Sequence, residues 1–247
     1  MTELTTELTE AGPVDWPRAP ASFVRRGGRM TSAQRRWLEQ SGARYLLPVS
    51  NWPRSTVIAP QPPLDQTAVF GRQADLVVEL GSGQGEALAQ AAARHPEVNY
   101  LGFEVFAAAL AMTVGRLAAA GADHVRLVAG DGLQGLRHLL GEASCQEIWV
   151  FFPDPWPKAR QRKRRLVAPP LIDLAASRLR LGGVLRLATD WTDYAAAMTA
   201  LLDCDQRFRR LDQGRFADRP TTKYEARGLR QGRLITDLTF VRHDPAD

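Results

Sequence analysis

From Asp75 onward the chain alternates between short apolar runs and longer alanine-rich stretches. "DLVVEL", "VNYLGFEV", "HVRLVAG", "EIWVFF" and "VLRLATD" read as strands, because their apolar residues are nearly continuous, as in strands covered on both faces. "EALAQAAARHP", "AAALAMTVGRLAAAG", "LQGLRHLLG", "LIDLAASRLRLGG" and "YAAAMTALLD" read as helices between and after them, with Pro96 and Gly121 as clear stops. Such alternation leaves little choice: the strands run parallel in one sheet and the helices cover both faces. "FRRLD" and "LITDLTFVRH" then follow as two consecutive strands and predict an antiparallel hairpin at one edge. The predicted fold class is therefore α/β, with a mostly parallel seven-stranded sheet.

Upstream the pattern is looser. Residues 1–22 are acidic, lack the apolar stretch of a secretory signal, and are expected to form a disordered tail. Residues 23–73 form an N-terminal extension with one short helix, in which Thr31 and Gln34 spell a capping box and Gly42 a stop. The proline-rich "LLPVSNWPRSTVIAPQPPLD" is expected to wrap a surface. Residues 74–247 hold the α/β domain. No apolar run approaches the ~18 residues of a membrane span. Cys145 and Cys204 lie far apart without metal-ligand spacing. The reading is a reduced, cytoplasmic chain with no membrane and no metal, a monomer or a homodimer.

In a sheet of this kind, ligands sit beyond the carboxyl ends of the strands, near the switch in strand order. Five acidic residues fall at that rim: Glu79, Glu104, Asp131, Asp154 and Asp190. "ELGSGQGE" places Gly81, Gly83 and Gly85 after the first strand, where positive φ and close backbone approach are useful. Glu86 stands where a dinucleotide site has its last glycine, and an acidic residue there opposes a pyrophosphate. The spacing instead resembles the first motif of the Rossmann-like methyltransferases, whose donor, S-adenosylmethionine, is a sulfonium cation without phosphate. Glu104 lies 19 residues after Gly85, placed to accept bonds from ribose hydroxyls. Asp131, within Gly-Asp-Gly, is either a turn residue or a neighbour of the adenine.

"FFPDPWPKARQRKRRL" follows the fourth strand. Its prolines hold φ on both sides of Asp154 and remove backbone donors, so the loop is stiff. Trp156 either stacks on a base or packs the loop. The chain's net charge is +5, and Lys158–Arg165 alone holds six basic residues, so the remainder is slightly acidic. Basicity this concentrated points to a polyanion such as a nucleic acid, with a solvated loop as the bland alternative.

Taken with "ATDWTDY", "RPTTKYEARGLRQG" and the upstream "SFVRRGGRMTSAQ", this loop is similar to the bacterial tRNA (guanine-N7-)-methyltransferase family, over about residues 22–241. The resemblance implies a Rossmann-like methyltransferase fold and methyl transfer from S-adenosylmethionine to a guanine of tRNA, at position 46 in the variable loop. It implies that Glu79, Gly81, Gly83, Gly85, Glu104, Asp131 and Asp154 hold the donor, and that Asp154 is also the catalytic residue. Lys158, Asp190, Thr222, Lys223, Tyr224 and Glu225 are implied to contact the substrate. Arg160, Gln161, Arg162, Lys163, Arg164 and Arg165 are implied to contact the RNA. Pro157 stands where some members carry histidine and Tyr224 where many carry phenylalanine; neither change removes a group the chemistry needs. Guanine N7 has a free lone pair, so Asp154 is expected to position the base and stabilise charge rather than abstract a proton.

By residue pattern alone, Thr222–Glu225 reads as a polar loop before the last strand, with Arg219 and Arg227 flanking it within reach of phosphates. His95, His124, His138 and His243 lie away from the rim loops and are not expected to be catalytic. The rival readings are a nicotinamide-dependent oxidoreductase, an RNA-binding protein with a degenerate core, and a methyltransferase for another substrate, such as rRNA or protein. The missing glycine opposes the first and the intact rim carboxylates the second. Only the later motifs oppose the third.

Overall fold

The computed structural model describes residues 30–53 and 55–245, apart from the side chains of Lys223 and Tyr224. The expected tail at residues 1–22 and most of "SFVRRGGRM" lie outside the described residues. One sheet of seven strands runs through the molecule: β1 (Leu76–Leu80), β2 (Asn99–Glu104), β3 (Val125–Ala129), β4 (Cys145–Phe151), β5 (Leu179–Thr189), β6 (Phe208–Leu211) and β7 (Thr236–Arg242). Their order is β3-β2-β1-β4-β5-β7-β6. The pairs among β1–β5 are parallel, and β7 runs antiparallel to both β5 and β6. The chain winds outward from β1 through β2 to β3, then returns to lay β4 on the other side of β1. The crevice between the ends of β1 and β4 is therefore the switch point.

Every residue of β1 is buried. Val78 and Leu80 point into one apolar core, and Val77 into the other, on the opposite face. Helices α3 (Glu86–Arg94), α4 (Ala107–Ala120), α5 (Gly132–His138), α6 (Pro169–Arg178) and α7 (Thr192–Asp203) cover the two faces, and α8 (Lys223–Arg230) precedes β7. Upstream stand α1 (Ser32–Tyr45) and the short α2 (Gln66–Phe70). No helix among the described residues is long and apolar enough to cross a membrane.

Four local expectations change. The capping box forms, with Gln34 N–H donating to Thr31 Oγ1 at 3.2 Å and Thr31 N–H to Gln34 Oε1 at 2.8 Å. Yet α1 runs through Gly42 to Tyr45, because the Tyr45 ring is fully buried and its hydroxyl donates to the Leu117 carbonyl at 3.0 Å. Tertiary packing against α4 outweighs the helix cost of one glycine. The stretch "LIDLAASRLRLGG" is not one helix. It leaves the helix after Arg178, and Leu179–Gly183 already belong to β5. Gly182 takes φ +78° and Gly183 lies where a Cβ would meet the Arg180 carbonyl oxygen at 2.8 Å, so these glycines serve an irregular strand start.

The last two strands are antiparallel neighbours but not a tight hairpin. Residues 212–235, including α8, separate them, and β7 inserts between β5 and β6. The segment "TTKYE", read as a loop, starts that helix. Finally, the proline-rich stretch does wrap a surface, and does more. Leu46 bridges to Leu127 on the edge strand β3, Ile58 is fully buried where a Cβ on Gly130 would strike it, and the Thr56 carbonyl accepts the Asp131 N–H at 2.8 Å. It covers the exposed edge of the sheet and satisfies its backbone.

Candidate active site

A cleft of about 490 Å³ opens at the switch point, and all five rim carboxylates line it: Glu79, Glu104, Asp131, Asp154 and Asp190. The sheet topology gathers them, since each ends or follows a different strand.

On one side the cleft is built by backbone. Gly81, Gly83 and Gly85 have φ of +78°, +56° and +72°, in the left-handed region open to glycine. At Gly85 a Cβ would also lie 2.3 Å from Thr113 Cγ2, so the last glycine lets α3 and α4 close on each other. Glu104 is held rigidly. Its Oε2 accepts the Gly83 N–H at 2.8 Å, and its Oε1 accepts those of Val105 and Phe106 at 2.8 and 2.9 Å. A carboxylate has about four acceptor positions, so one remains to accept from a ligand donor in the cleft. Asp131 is a turn residue that also reaches the cleft. It caps α5, accepting from Leu133 N–H at 2.9 Å and Gln134 N–H at 3.2 Å, and it lines the cleft. Burial pushes its carboxyl above the usual range, against the pull of those two bonds.

Glu79 is the electrostatic centre of this side. It is buried, and its Oε2 has no hydrogen-bond partner. Burial, with the nearby Glu104 and Glu86 charges adding to it, pushes its pKa up to about 8. A buried carboxyl with an unmet oxygen and two acidic neighbours suits a cationic ligand and opposes a phosphate. The glycine-lined, acidic cradle therefore fits S-adenosylmethionine, whose amino and sulfonium groups are positive.

On the other side the cleft is built by cross-linked side chains. Phe152 and Trp156 bracket Pro153-Asp154-Pro155 with φ of +52° and +44°, conformations that cost a bulky residue energy and must be held by their surroundings. The Phe152 N–H donates to the Ala188 carbonyl at 2.8 Å. Trp156 is buried, and the Arg164 guanidinium lies 3.7 Å from its ring centre, so Trp156 packs the loop and the base-stacking alternative falls away. Arg165 is buried too, which corrects its placement among RNA contacts. Its Nε donates to the Pro155 carbonyl at 2.9 Å, its Nη2 to Asp193 at 2.8 and 3.0 Å, and its Cζ sits 4.5 Å from the Tyr194 ring centre. Arg162 pairs with the same Asp193 at 2.9 Å. Lys158, Arg160 and Lys163 are exposed on and beside a 3₁₀ turn, Ala159–Arg164, while Gln161 is half-buried.

Thr222 lines the cleft as the N-cap of α8, its hydroxyl accepting the Glu225 N–H at 3.2 Å. Asp190 is held by Arg233 at 2.7 Å, and a Cβ on Gly228 would meet the Asp190 carboxylate at 2.8 Å. Glu225 is buried, bonded to Arg215 and Arg219, and does not line the cleft. Arg219 is fully buried rather than available to a phosphate, whereas Arg227 lines the cleft. The side chains of Lys223 and Tyr224 lie outside the described residues.

Sequence reasoning missed Arg233, Gly228, Asp193 and the role of Arg219. One signal was present: Thr-x-x-Glu at Thr222–Glu225 spells a helix start. The other partners are distant in sequence and carry no local mark. Among the described residues, no group of three or more His, Cys, Asp or Glu side chains is arranged to hold a metal ion.

A mostly parallel seven-stranded sheet with an antiparallel β7, and an acidic, glycine-lined cleft at its switch point, define a Rossmann-like methyltransferase. A family model described as "Putative methyltransferase" matches residues 73–238. The tRNA (guanine-N(7)-)-methyltransferase of Cutibacterium acnes is 45% identical over 233 residues, covering 92% of this chain and 84% of that protein. That of Nitrosococcus oceani is 41% identical over 236 residues, covering 95% and 96%. The chain belongs to the tRNA (guanine-N(7)-)-methyltransferase family. Solved structures share its fold. The 16S rRNA methyltransferase KamB matches with a TM-score of 0.54 at 15% identity, covering 74% of this chain and 96% of that one. A mutant of the 16S rRNA (adenine(1408)-N(1))-methyltransferase from Catenulisporales acidiphilia, solved with cosubstrate SAM, matches with a TM-score of 0.51 at 16% identity, covering 77% and 95%.

Proposed function

We propose that this chain, in the cytoplasm, methylates N7 of a tRNA guanine, at position 46 of the variable loop, using S-adenosylmethionine. The observation that carries the reading is Asp154, held on a stiff loop after β4, in the same cleft as the unmet Glu79 carboxyl near the end of β1. The relatives' names supply the acceptor. Residues 74–247 form the catalytic domain in this reading, and residues 23–73 an extension from which Leu46 and Leu47 reach the β3 edge.

Glu79 receives the positive end of the donor, Glu104 its ribose, and Asp131 lies at its adenine end. When bound, S-adenosylmethionine supplies a methyl group activated by its sulfonium cation. Asp154 faces the acceptor. Guanine N7 needs no base, so the carboxylate orients the ring by its amino and imino edge and balances the positive charge that arrives there. Asp190, Thr222 and Arg227 complete the acceptor wall. Lys158, Arg160 and Lys163 lie outside the cleft and hold the phosphate backbone.

The test is transfer from labelled S-adenosylmethionine to unmodified tRNA, followed by borohydride reduction and aniline cleavage, which cuts at 7-methylguanosine. Label in the tRNA with one cut in the variable loop is the expected result. Donor binding without label in tRNA overturns the acceptor.

A further inference from the structure

We infer that Arg219 is a positioning residue that ties α8 to the Pro-Asp-Pro-Trp loop, and that Glu225 serves the reaction through Arg219 rather than by touching the substrate. The inference rests on the reading of Asp154 and Thr222 as parts of one acceptor wall.

The Arg219 side chain is fully buried. Its Nη1 donates to Glu225 Oε2 at 2.5 Å, and its Nε and Nη2 donate to Asp237 at 2.8 to 3.1 Å. Its Cζ lies 5.1 Å from the Phe152 ring centre and 5.7 Å from that of Phe151. One guanidinium therefore meets three elements. Glu225 stands in the first turn of α8, whose cap Thr222 lines the cleft. Asp237 stands on β7 opposite Ala188, the residue whose carbonyl accepts the Phe152 N–H. Phe152 holds a strained positive φ two residues before Asp154. Only arginine has a planar face for the rings and a fork for two carboxylates.

Glu225 has no means of reaching a base without stripping this cluster. Its oxygens are shared between Arg219 and Arg215, and Arg215 also donates to the Arg219 carbonyl at 2.9 Å. The two arginines and two carboxylates balance in charge. Pulling one carboxylate away would leave a buried guanidinium short of a partner.

The experiment combines peptide-level hydrogen exchange, read without substrate, with steady-state kinetics on the full chain. The variants are Glu225→Gln, Arg219→Lys and Asp237→Asn. Expected in each is faster exchange in residues 150–156 and 222–230 together, with the rest of the sheet unchanged. Turnover falls about tenfold or more, while the KM for tRNA stays within about threefold. The double variant Arg219→Lys/Glu225→Gln is no worse than the worse single one. A rise in KM for Glu225→Gln with turnover and loop exchange unchanged overturns the proposal, as do additive losses in the double variant. Asp237 does not line the cleft, so Asp237→Asn decides the matter if another variant does not fold: unchanged loop exchange there also overturns it. Exchange needs no acceptor, so a chain that methylates a different RNA would revise the proposed substrate and leave this result standing.

Discussion

The two sides of the cleft, proposed above to hold the donor and the acceptor, are made by different physics. On the donor side the holding groups are backbone amides: Gly83, Val105 and Phe106 grip Glu104, and Leu133 and Gln134 grip Asp131. On the acceptor side they are guanidinium groups. Arg165 holds Asp193, Arg233 holds Asp190, and Arg219 holds Glu225 and Asp237. A backbone-built site needs glycine at a few positions and little else. The Arg219 cluster is buried and needs all its partners, because a lone buried charge costs about 3–5 kcal/mol, whereas the Arg165–Asp193 and Arg233–Asp190 pairs each have one partly exposed partner and contribute less. The donor side is therefore expected to tolerate side-chain change around it, and the acceptor side to fail when one cross-link is cut.

The largest expected effect breaks the acceptor side alone. Asp154→Asn lowers turnover by about 100-fold or more, with donor affinity kept, in single-turnover assays with labelled donor. Loss of donor affinity in that variant would move Asp154 across to the donor side. Next comes the reverse cut. Gly85→Ala forces a side chain into φ +72° and against Thr113. Strain of ~1–2 kcal/mol and overpacking of ~1–3 kcal/mol lower the melting temperature and remove donor binding. The affinity for tRNA is expected to survive, measured by fluorescence anisotropy; if it falls in parallel, the two sides are one unit.

A smaller effect sharpens the electrostatics. Folding raises the Glu79 pKa from 4.5 to about 8. Below pH 4.5 both states hold the proton; between there and about pH 8 the folded chain keeps a proton that the unfolded chain has released. Stability of the donor-free chain therefore falls as pH rises through that window, and Glu79→Gln removes this part of the slope. A cationic donor favours the ionised form, so its affinity rises over the same window by up to about tenfold per pH unit. Thermal melts and calorimetric titrations of both chains, from acid to alkaline pH, check both signs. The smallest effect belongs to the exposed cations. Replacing Lys158, Arg160 and Lys163 with alanine flattens the salt dependence of tRNA binding by at most about 0.9 per residue, with turnover at saturating tRNA unchanged. Arg165→Ala, by contrast, leaves that slope alone and lowers turnover.

Much of this was legible in the sequence because it is local. The strand-and-helix alternation, the Thr31 cap, the glycine turn and the five rim carboxylates follow from periodicities and spacings of a few residues. Boundaries were less so. Gly42 reads as a stop and Leu179 as helix, and packing against Leu117 and pairing with β4 decided otherwise. Arg165 ends a dense basic run and Arg219 flanks a polar segment, so both look like surface charge, yet both are buried.

By itself, the order of residues determined that the chain forms a parallel sheet with an acidic ligand rim, since those features depend on near neighbours along the chain. Which arginines stay exposed and which are buried in the walls of the site was decided only by the tertiary structure. Charge is the same in either place, and only the arrival of Asp193, Glu225 and Asp237 from elsewhere in the chain makes a buried guanidinium tolerable.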